Sequence, residues 1–221
     1  MMNRNHKLNL IRKIFIVLTL LFSAIEAKSA ETNSKGFPSV TIGGKVWMVK
    51  NLDVDHYRNG DEIPQVQDPE AWSRLTTGAW CYYENDSEKG RTYGKLYNWF
   101  AVNDSRGPAP QGWHVASDDE WSQLVSATGG DRGSATSLKS KIQWNPPLVR
   151  ADNRSRFTAL PSGYRSNNGK FYLSGSNAGF WSSTEASESS AWYREMFNSY
   201  SAVYRVSISK TQGLAVRCVK D

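Results

Sequence analysis

The last third of the chain has the clearest pattern of hydrophobic and polar positions, because apolar and polar residues alternate there over short runs. In the middle run, Tyr204, Val206 and Ile208 would share one face of a strand, and a Thr-Gln-Gly turn follows them. Alternation of this kind is typical of strands with one buried face. The pattern predicts an antiparallel meander of three strands, at residues 191–197, 202–209 and 214–219.

A further pair of strands is predicted near the start of the domain. Residues 40–49 hold two short apolar runs separated by Gly43 and Gly44. Two glycines suit a two-residue hairpin turn, since they accept positive φ angles without strain. If this hairpin pairs with the last strands, both ends of the domain meet on one antiparallel sheet.

Two helices are predicted in the middle of the chain. One spans about residues 93–103, where apolar side chains stand at i, i+3 and i+4 from Leu96. The other, over residues 118–128, has clearer ends: Ser117 and Glu120 form a capping box before it, and two glycines follow it.

The remaining segments predict irregular structure. Residues 53–92 and 131–155 are rich in turn residues and in polar residues. Strands first, helices in the middle and strands last give an α+β domain with a long irregular loop region. We expect one such domain over residues 40–221, preceded by a short polar leader at residues 31–39.

The first 30 residues have the pattern of a signal peptide. A basic head precedes an apolar run of about 12 residues, and small residues follow. This run is shorter than the roughly 20 residues of a membrane-spanning helix, so an uncleaved anchor is the weaker interpretation. No cysteine precedes Cys81, so a lipid attachment point is not expected. We therefore expect a soluble, non-lipidated protein outside the cytoplasm, secreted, periplasmic or at the cell surface, with no stable membrane anchor after cleavage.

The charge of the chain gives no reason to expect a nucleic-acid partner. The formal net charge is +6, but residues 1–30 contain five basic residues and one acidic residue. The rest of the chain therefore carries only about +2, which is too little for the basic surface of a nucleic-acid-binding domain.

Two cysteines, Cys81 and Cys218, remain in a chain expected to reach an oxidising compartment. Pairing them would close a long loop and stabilise the fold by roughly 4–5 kcal/mol. A disulfide is the favoured interpretation. Two free buried thiols are the alternative, since free cysteine packs as a small hydrophobic residue.

Aromatic and polar residues between positions 163 and 192 are candidates for a ligand-binding face. Aromatic rings stack on sugar rings or on a protein partner, and neighbouring amide, guanidinium and carboxylate groups add hydrogen bonds. We expect a glycan or a cell-surface protein as the partner, bound by Tyr164, Arg165, Asn167, Tyr172, Trp181, Glu185 and Trp192.

Two other functions remain open. A glycosidase-like hydrolase needs two facing carboxylates, and the candidates are Asp118, Asp119, Glu185 and Glu188. A purely structural surface protein without a small ligand is the second alternative. Neither a metal nor a cofactor is expected, because residues 31–221 contain only His56 and His114 as histidines and lack phosphate-binding glycine motifs.

Six motifs in a fixed order resemble the Fibrobacter succinogenes major paralogous domain family, which occurs in secreted and surface proteins. The motifs are Val46-Trp-Met-Val-Lys-Asn-Leu52, Tyr93-Gly-Lys-Leu-Tyr-Asn-Trp99, Pro110-Gln-Gly-Trp-His-Val115 with Ser117-Asp-Asp-Glu-Trp121, Leu160-Pro-Ser-Gly-Tyr-Arg165, Phe180-Trp-Ser-Ser-Thr184 and Val216-Arg-Cys-Val219. The family is largely without an assigned activity, so the resemblance implies location and fold more than function.

The family is in turn similar to the C-type-lectin-like fold and to formylglycine-generating enzymes. This similarity implies termini paired in one sheet, two helices and a long loop region. The chain lacks the Glu-Pro-Asn, Gln-Pro-Asp and Trp-Asn-Asp triplets of calcium-dependent lectins, and it lacks two cysteines close in sequence. Neither calcium-dependent sugar binding nor formylglycine-generating chemistry is therefore expected. Many family members have a cysteine where this chain has Ala109.

Overall fold

The computed structural model describes residues 36–221. The predicted signal peptide, residues 1–30, lies outside the described residues, as does the leader up to residue 35. Within the described part, no helix is long and apolar enough to cross a membrane. The domain is α+β, as the order of the predicted elements indicated.

Eleven short strands and five helices make up the described regular structure together with one 3-10 turn at Tyr83–Asn85. The strands are β1 (Ser39–Ile42), β2 (Lys45–Met48), β3 (Trp80–Cys81), β4 (Leu96–Tyr97), β5 (Trp113–Val115), β6 (Tyr164–Arg165), β7 (Phe171–Tyr172), β8 (Asn177–Ser187), β9 (Ser190–Phe197), β10 (Tyr204–Ser209) and β11 (Cys218–Lys220). The helices are α1 (Pro69–Ser73), α2 (Ser87–Tyr93), α3 (Trp99–Val102), α4 (Asp118–Thr128) and α5 (Ser134–Leu138).

The first sheet joins the two ends of the domain, in the order β1-β2-β11-β5. Gly43 and Gly44 form the predicted hairpin turn, with φ angles of 60° and 81°. Val219 of β11 pairs antiparallel with Trp47 of β2. The prediction that the first hairpin pairs with the C-terminal strand is confirmed.

The second sheet is a three-stranded meander in the order β10-β9-β8. The strands predicted at residues 191–197 and 202–209 are confirmed as β9 and β10. The third predicted strand, at residues 214–219, is wrong: β8 takes its place in the meander, and β11 joins the first sheet. Residues 214–217 are buried on both faces because they run between other segments, with bridges from Leu214 to Tyr97 and from Ala215 to Phe180.

The predicted helix at residues 118–128 is confirmed as α4. The Ser117 hydroxyl accepts a hydrogen bond from the Glu120 backbone N–H, and the Glu120 carboxylate accepts one from the Ser117 N–H. This reciprocal pair satisfies two N–H groups that a helix start leaves free. Gly129 ends the helix with a φ of 126°.

The predicted helix at about residues 93–103 is wrong. Gly94 adopts a φ of 73°, and Leu96 then pairs with Cys81 between β4 and β3. Asn98 starts the single-turn helix α3, because its side-chain oxygen accepts from the Ala101 N–H. The apolar residues predicted to line one helix face are instead buried side chains of a largely irregular segment.

The loop predicted at residues 131–155 contains the helix α5 and is otherwise irregular. Large aromatic rings fill the space between the first sheet and α4. The Trp47 and Trp121 ring centroids lie 5.0 Å apart, and Trp121 and Phe180 lie 5.4 Å apart. Tryptophans therefore form much of the core.

Buried cations attach the long loops to this core. Arg217 is 0% exposed, and its guanidinium donates to the carbonyl oxygens of Met48, Phe157 and Thr158 at 2.7–2.9 Å. Its Nε also donates to the Asn51 side chain. Burial lowers the pKa of Arg217 to about 9.

Lys139 acts in the same way at another loop. Its ammonium donates to the carbonyl oxygens of Val149, Phe197 and Tyr200, and the three distances are 2.8, 3.2 and 2.9 Å. An ammonium has three N–H groups, so each one has a backbone partner. Burial lowers the pKa of Lys139 to about 8.

The predicted disulfide between Cys81 and Cys218 is wrong, because both cysteines are free and buried. They belong to different hydrophobic clusters: Cys81 packs with Trp72 and Leu96, and Cys218 belongs to the cluster of Val115. Burial raises the pKa of each thiol to about 12. Both cysteines act as small core residues.

We predict that Arg217→Met lowers the free energy of unfolding by about 3 kcal/mol or more, since several buried carbonyl groups lose their donor. Urea denaturation of the purified protein measures the change. Arg91→Met, at a side chain that is 77% exposed, is the matched control and should stay within about 0.5 kcal/mol of the wild type. Equal losses in the two variants would contradict the role given to Arg217.

We also predict that both thiols are alkylated when the protein is denatured without reductant. In the native state neither should react at neutral pH, because each thiol is buried and its pKa is raised. Intact mass before and after alkylation counts the modified thiols. A denatured protein that takes up no label until it is reduced would contradict the free cysteines.

Candidate functional site

Exposed and half-buried aromatic side chains gather at one end of the meander. The Tyr164 and Tyr172 rings pack with centroids 5.7 Å apart. The rings of Phe197, Tyr200 and Tyr204 form a second group with centroid distances of 6.1–6.3 Å. Eight large hydrophobic residues are exposed within residues 36–221, and four of them belong to this region. We call it the tyrosine face and define it as Tyr164, Tyr172, Leu173, Phe197, Tyr200 and Tyr204.

A small cavity connects the two aromatic groups. It has a volume of about 220 Å³, with Tyr164 and Leu173 from one group and Phe197 from the other in its wall. We call it the Glu195 cavity. Its lining is completed by Asn177, Tyr193, Glu195, Ile208, Gln212 and Leu214.

Strand register explains which residues stand next to Glu195 in the cavity wall. Glu195 of β9 stands opposite Gly179 of β8 on one side and opposite Tyr204 of β10 on the other. Opposed residues point to the same face of a sheet, and Gly179 contributes no side chain to it. A Cβ atom at Gly179 would lie 3.0 Å from Leu214 Cδ2. The Leu214 side chain therefore packs over Gly179, and it lines the cavity together with Glu195.

Glu195 lacks a positive partner. Asn177 Nδ2 donates to its Oε2 at 3.2 Å, and the Tyr193 hydroxyl also donates to the carboxylate. Within residues 36–221, no basic side chain forms an ion pair with it. Burial raises the pKa of Glu195, and the two hydrogen bonds only partly oppose that increase. Burial and the nearby Glu195 also raise the pKa of Tyr193.

The carboxylates proposed for hydrolysis have different surroundings. Asp118 forms ion pairs with Arg194 and Arg205, both at 2.9 Å. Glu185 pairs with Lys210, which also donates to the Glu188 carbonyl. These contacts are those of structural ion pairs. Asp119 is exposed in the first turn of α4.

A further charged cluster joins α4 to the first sheet. His114 contacts Glu120 at 2.9 Å and Asp221 at 2.7 Å, and Lys45 pairs with Glu120. The Ser117 N–H and these cations hold the pKa of Glu120 at about 2, against the effect of burial. In the described part of the chain, no group of three or more His, Cys, Asp or Glu residues could hold a metal ion.

The structure brings together only some of the residues predicted to bind a ligand. Tyr164 and Tyr172 lie on the tyrosine face, and Asn167 is exposed in the turn between β6 and β7. Glu185 lies near the other end of β8, paired with Lys210. Trp192 adjoins Tyr193 on β9, so it points to the opposite face of the sheet, where the Arg205 guanidinium lies 3.4 Å from its ring centroid.

Two of the predicted residues are buried and cannot contact a ligand at the surface. Trp181 is 0% exposed: its indole N–H donates to the Tyr97 carbonyl, and its ring packs beside the Tyr193 ring with centroids 6.2 Å apart. Arg165 is also 0% exposed. Its guanidinium donates to the carbonyl oxygens of Val66, Gln67 and Gly169 and covers the Trp72 ring. Both side chains donate hydrogen bonds to backbone carbonyl groups and so hold chain segments in place.

Much of the site does not follow from the sequence pattern. The pattern treated Tyr204 and Ile208 as the buried face of a strand, whereas they border the open face of a sheet edge. One signal was available: Glu195 stands between Tyr193 and Phe197 at alternate positions of β9, so an acidic side chain shares one strand face with two aromatic ones. Its significance depends on the pairing with Gly179, which alternation alone does not reveal.

We predict that Glu195→Gln stabilises the protein at neutral pH, because the charged carboxylate is desolvated without a cation. The pKa of Glu195 is higher in the folded protein than in the unfolded chain. The charged carboxylate therefore destabilises the wild type fully above the folded-state pKa, and this destabilisation disappears as the pH falls below the pKa of the unfolded chain. The difference between variant and wild type should therefore shrink on acidification. Thermal unfolding from acidic to neutral pH measures it, and a variant less stable than wild type at neutral pH would contradict the assignment.

Comparison with known proteins supports one family. Residues 40–220 match the model of the Fibrobacter succinogenes major domain. No similar protein of curated function and no similar solved structure was found. Because the matched region covers most of the chain, this protein belongs to the Fibrobacter succinogenes major domain family.

Proposed function

We propose that the domain is a binding module that recognises a glycan through the tyrosine face. The observation that carries the proposal is the gathering of exposed aromatic rings around one cavity with polar groups. Tyrosine rings offer flat apolar surfaces for the faces of sugar rings, and their hydroxyls bond to water or to sugar hydroxyls.

The size and chemistry of the cavity support a sugar ligand. Its volume of about 220 Å³ is smaller than the roughly 300–1,000 Å³ of sites that enclose a drug-sized molecule. It therefore suits one ring or one substituent of a longer chain that lies across the tyrosine face. Asn177, Gln212 and Glu195 supply the directional hydrogen bonds that select among hydroxyl patterns.

The tyrosine face is held in place before any ligand arrives. Lys139 fixes the carbonyl groups of Phe197 and Tyr200. Gly163, at a φ of 63°, lets its backbone lie where a Cβ atom would come within 2.5 Å of the Tyr172 carbonyl oxygen. A preorganised surface loses less conformational entropy on binding, which favours affinity for flexible chains such as glycans.

Binding fits this site better than hydrolysis does. Glycoside hydrolysis requires two carboxyl groups on either side of the bond, and the cavity wall contains the single carboxylate of Glu195. We also propose that the module acts outside the cytoplasm, as a secreted or surface protein. The basic, apolar and small-residue order of residues 1–30 supports that location.

We predict that Tyr172→Ala, Tyr200→Ala and Tyr204→Ala each weaken glycan binding about 3- to 10-fold, because each removes one stacking surface worth about 0.5–1.5 kcal/mol. A glycan array identifies a ligand, and titration calorimetry then compares the variants. Tyr93→Ala, outside the tyrosine face, is the control and should bind as the wild type does. Retained binding in all three face variants, or a specific protein partner without any glycan, would overturn the proposal.

A further inference from the structure

Glu195 is a partly buried carboxylate that has no basic partner within the described chain. Two carboxylates elsewhere in the domain have a basic partner: Asp118 pairs with Arg194, and Glu185 pairs with Lys210. Glu195 is instead partly buried between aromatic rings and accepts only neutral donors. A desolvated, unpaired charge lowers stability. A ligand cation would compensate it.

We propose that the Glu195 cavity binds the ammonium group of a sugar with a free amine. This inference rests on the proposed glycan-binding function and names the class of sugar. The tyrosine face would stack the sugar ring, and the ammonium would enter the cavity and pair with the Glu195 carboxylate.

The cavity wall matches an ammonium group. Tyr164, Tyr193 and Phe197 line it together with Glu195. Aromatic rings attract cations through their negative faces, and the attraction grows when water is excluded. An ammonium group donates three hydrogen bonds. Glu195 and the side-chain oxygens of Asn177 and Gln212 can accept them.

Other cations fit less well. One oxygen of Glu195, Oε2, already accepts from Asn177, so the paired oxygens that a guanidinium fork prefers are not both free. A divalent metal ion needs several oxygen ligands, and one carboxylate with two amides falls short of that number. A single ammonium group needs only one free carboxylate oxygen and aromatic walls.

The proposal distinguishes a free amine from an acetylated one. N-acetylation removes the positive charge and adds a bulky group, so the acetylated sugar would leave Glu195 desolvated and unpaired. The titratable groups around the cavity are Glu195, Tyr164 and Tyr193, and each has a raised pKa. Affinity should therefore fall as acidification protonates Glu195, and it should fall again when alkali deprotonates the amine.

Titration calorimetry at fixed ionic strength tests the inference with three probes of equal length: a glucosamine oligomer, an N-acetylglucosamine oligomer and a glucose oligomer. We expect the wild type to bind the glucosamine oligomer at least about 10-fold more tightly than the other two. Glu195→Gln should abolish this preference. Glu88→Gln, at an exposed residue paired with Arg91, is the matched control and should keep it.

The outcomes separate this inference from the proposed function. Equal binding of acetylated and free-amine oligomers, or a preference that survives Glu195→Gln, overturns the inference. Glycan binding that is lost in the tyrosine variants would still support the proposed function in that case. Failure of every glycan to bind overturns both, and a lysine-rich peptide that binds through Glu195 when no amino sugar does would overturn the sugar as the source of the amine.

Discussion

The fold depends on buried cations that donate hydrogen bonds to backbone carbonyl groups. Much of the chain is irregular, so its carbonyl oxygens have no neighbouring strand to supply N–H partners, yet buried polar groups must be satisfied. Arg165, Lys139 and Arg217 solve this problem, because each provides several donors at one point. One side chain thereby holds together segments that are distant in sequence.

The same constraint shapes the candidate site. Lys139 reaches the carbonyl groups of Phe197 and Tyr200, so a cation beneath the surface fixes aromatic rings above it. The buried Trp181 ring packs beside Tyr193, its partner on the neighbouring strand. The buried cations Arg165, Lys139 and Arg217 each have several carbonyl partners. The negative charge of Glu195 at the cavity has only the neutral donors Asn177 and Tyr193. The contrast places the uncompensated charge where a ligand can reach it.

The sequence predicted the elements that form through contacts between neighbouring residues. The capping box of Ser117 and Glu120 located α4, and the Gly43-Gly44 pair located the first hairpin. The helix expected near Leu96 failed because tertiary packing, including the backbone turn at Gly94, overrides apolar spacing. The site was only partly predicted, through Tyr164 and Tyr172. Trp181 is a residue type that often contacts ligands, and only the three-dimensional packing shows that it is buried.

The carbonyl partners of the buried cations also determine how the protein responds to salt. Dissolved ions screen exposed pairs such as Arg91 with Glu88, whose side chains are 77% and 67% exposed. They do not reach a guanidinium that is enclosed by Phe157, Thr158 and Met48. The hydrogen bonds that hold the loops should therefore change little with ionic strength, and so should the positions of the segments that these bonds join.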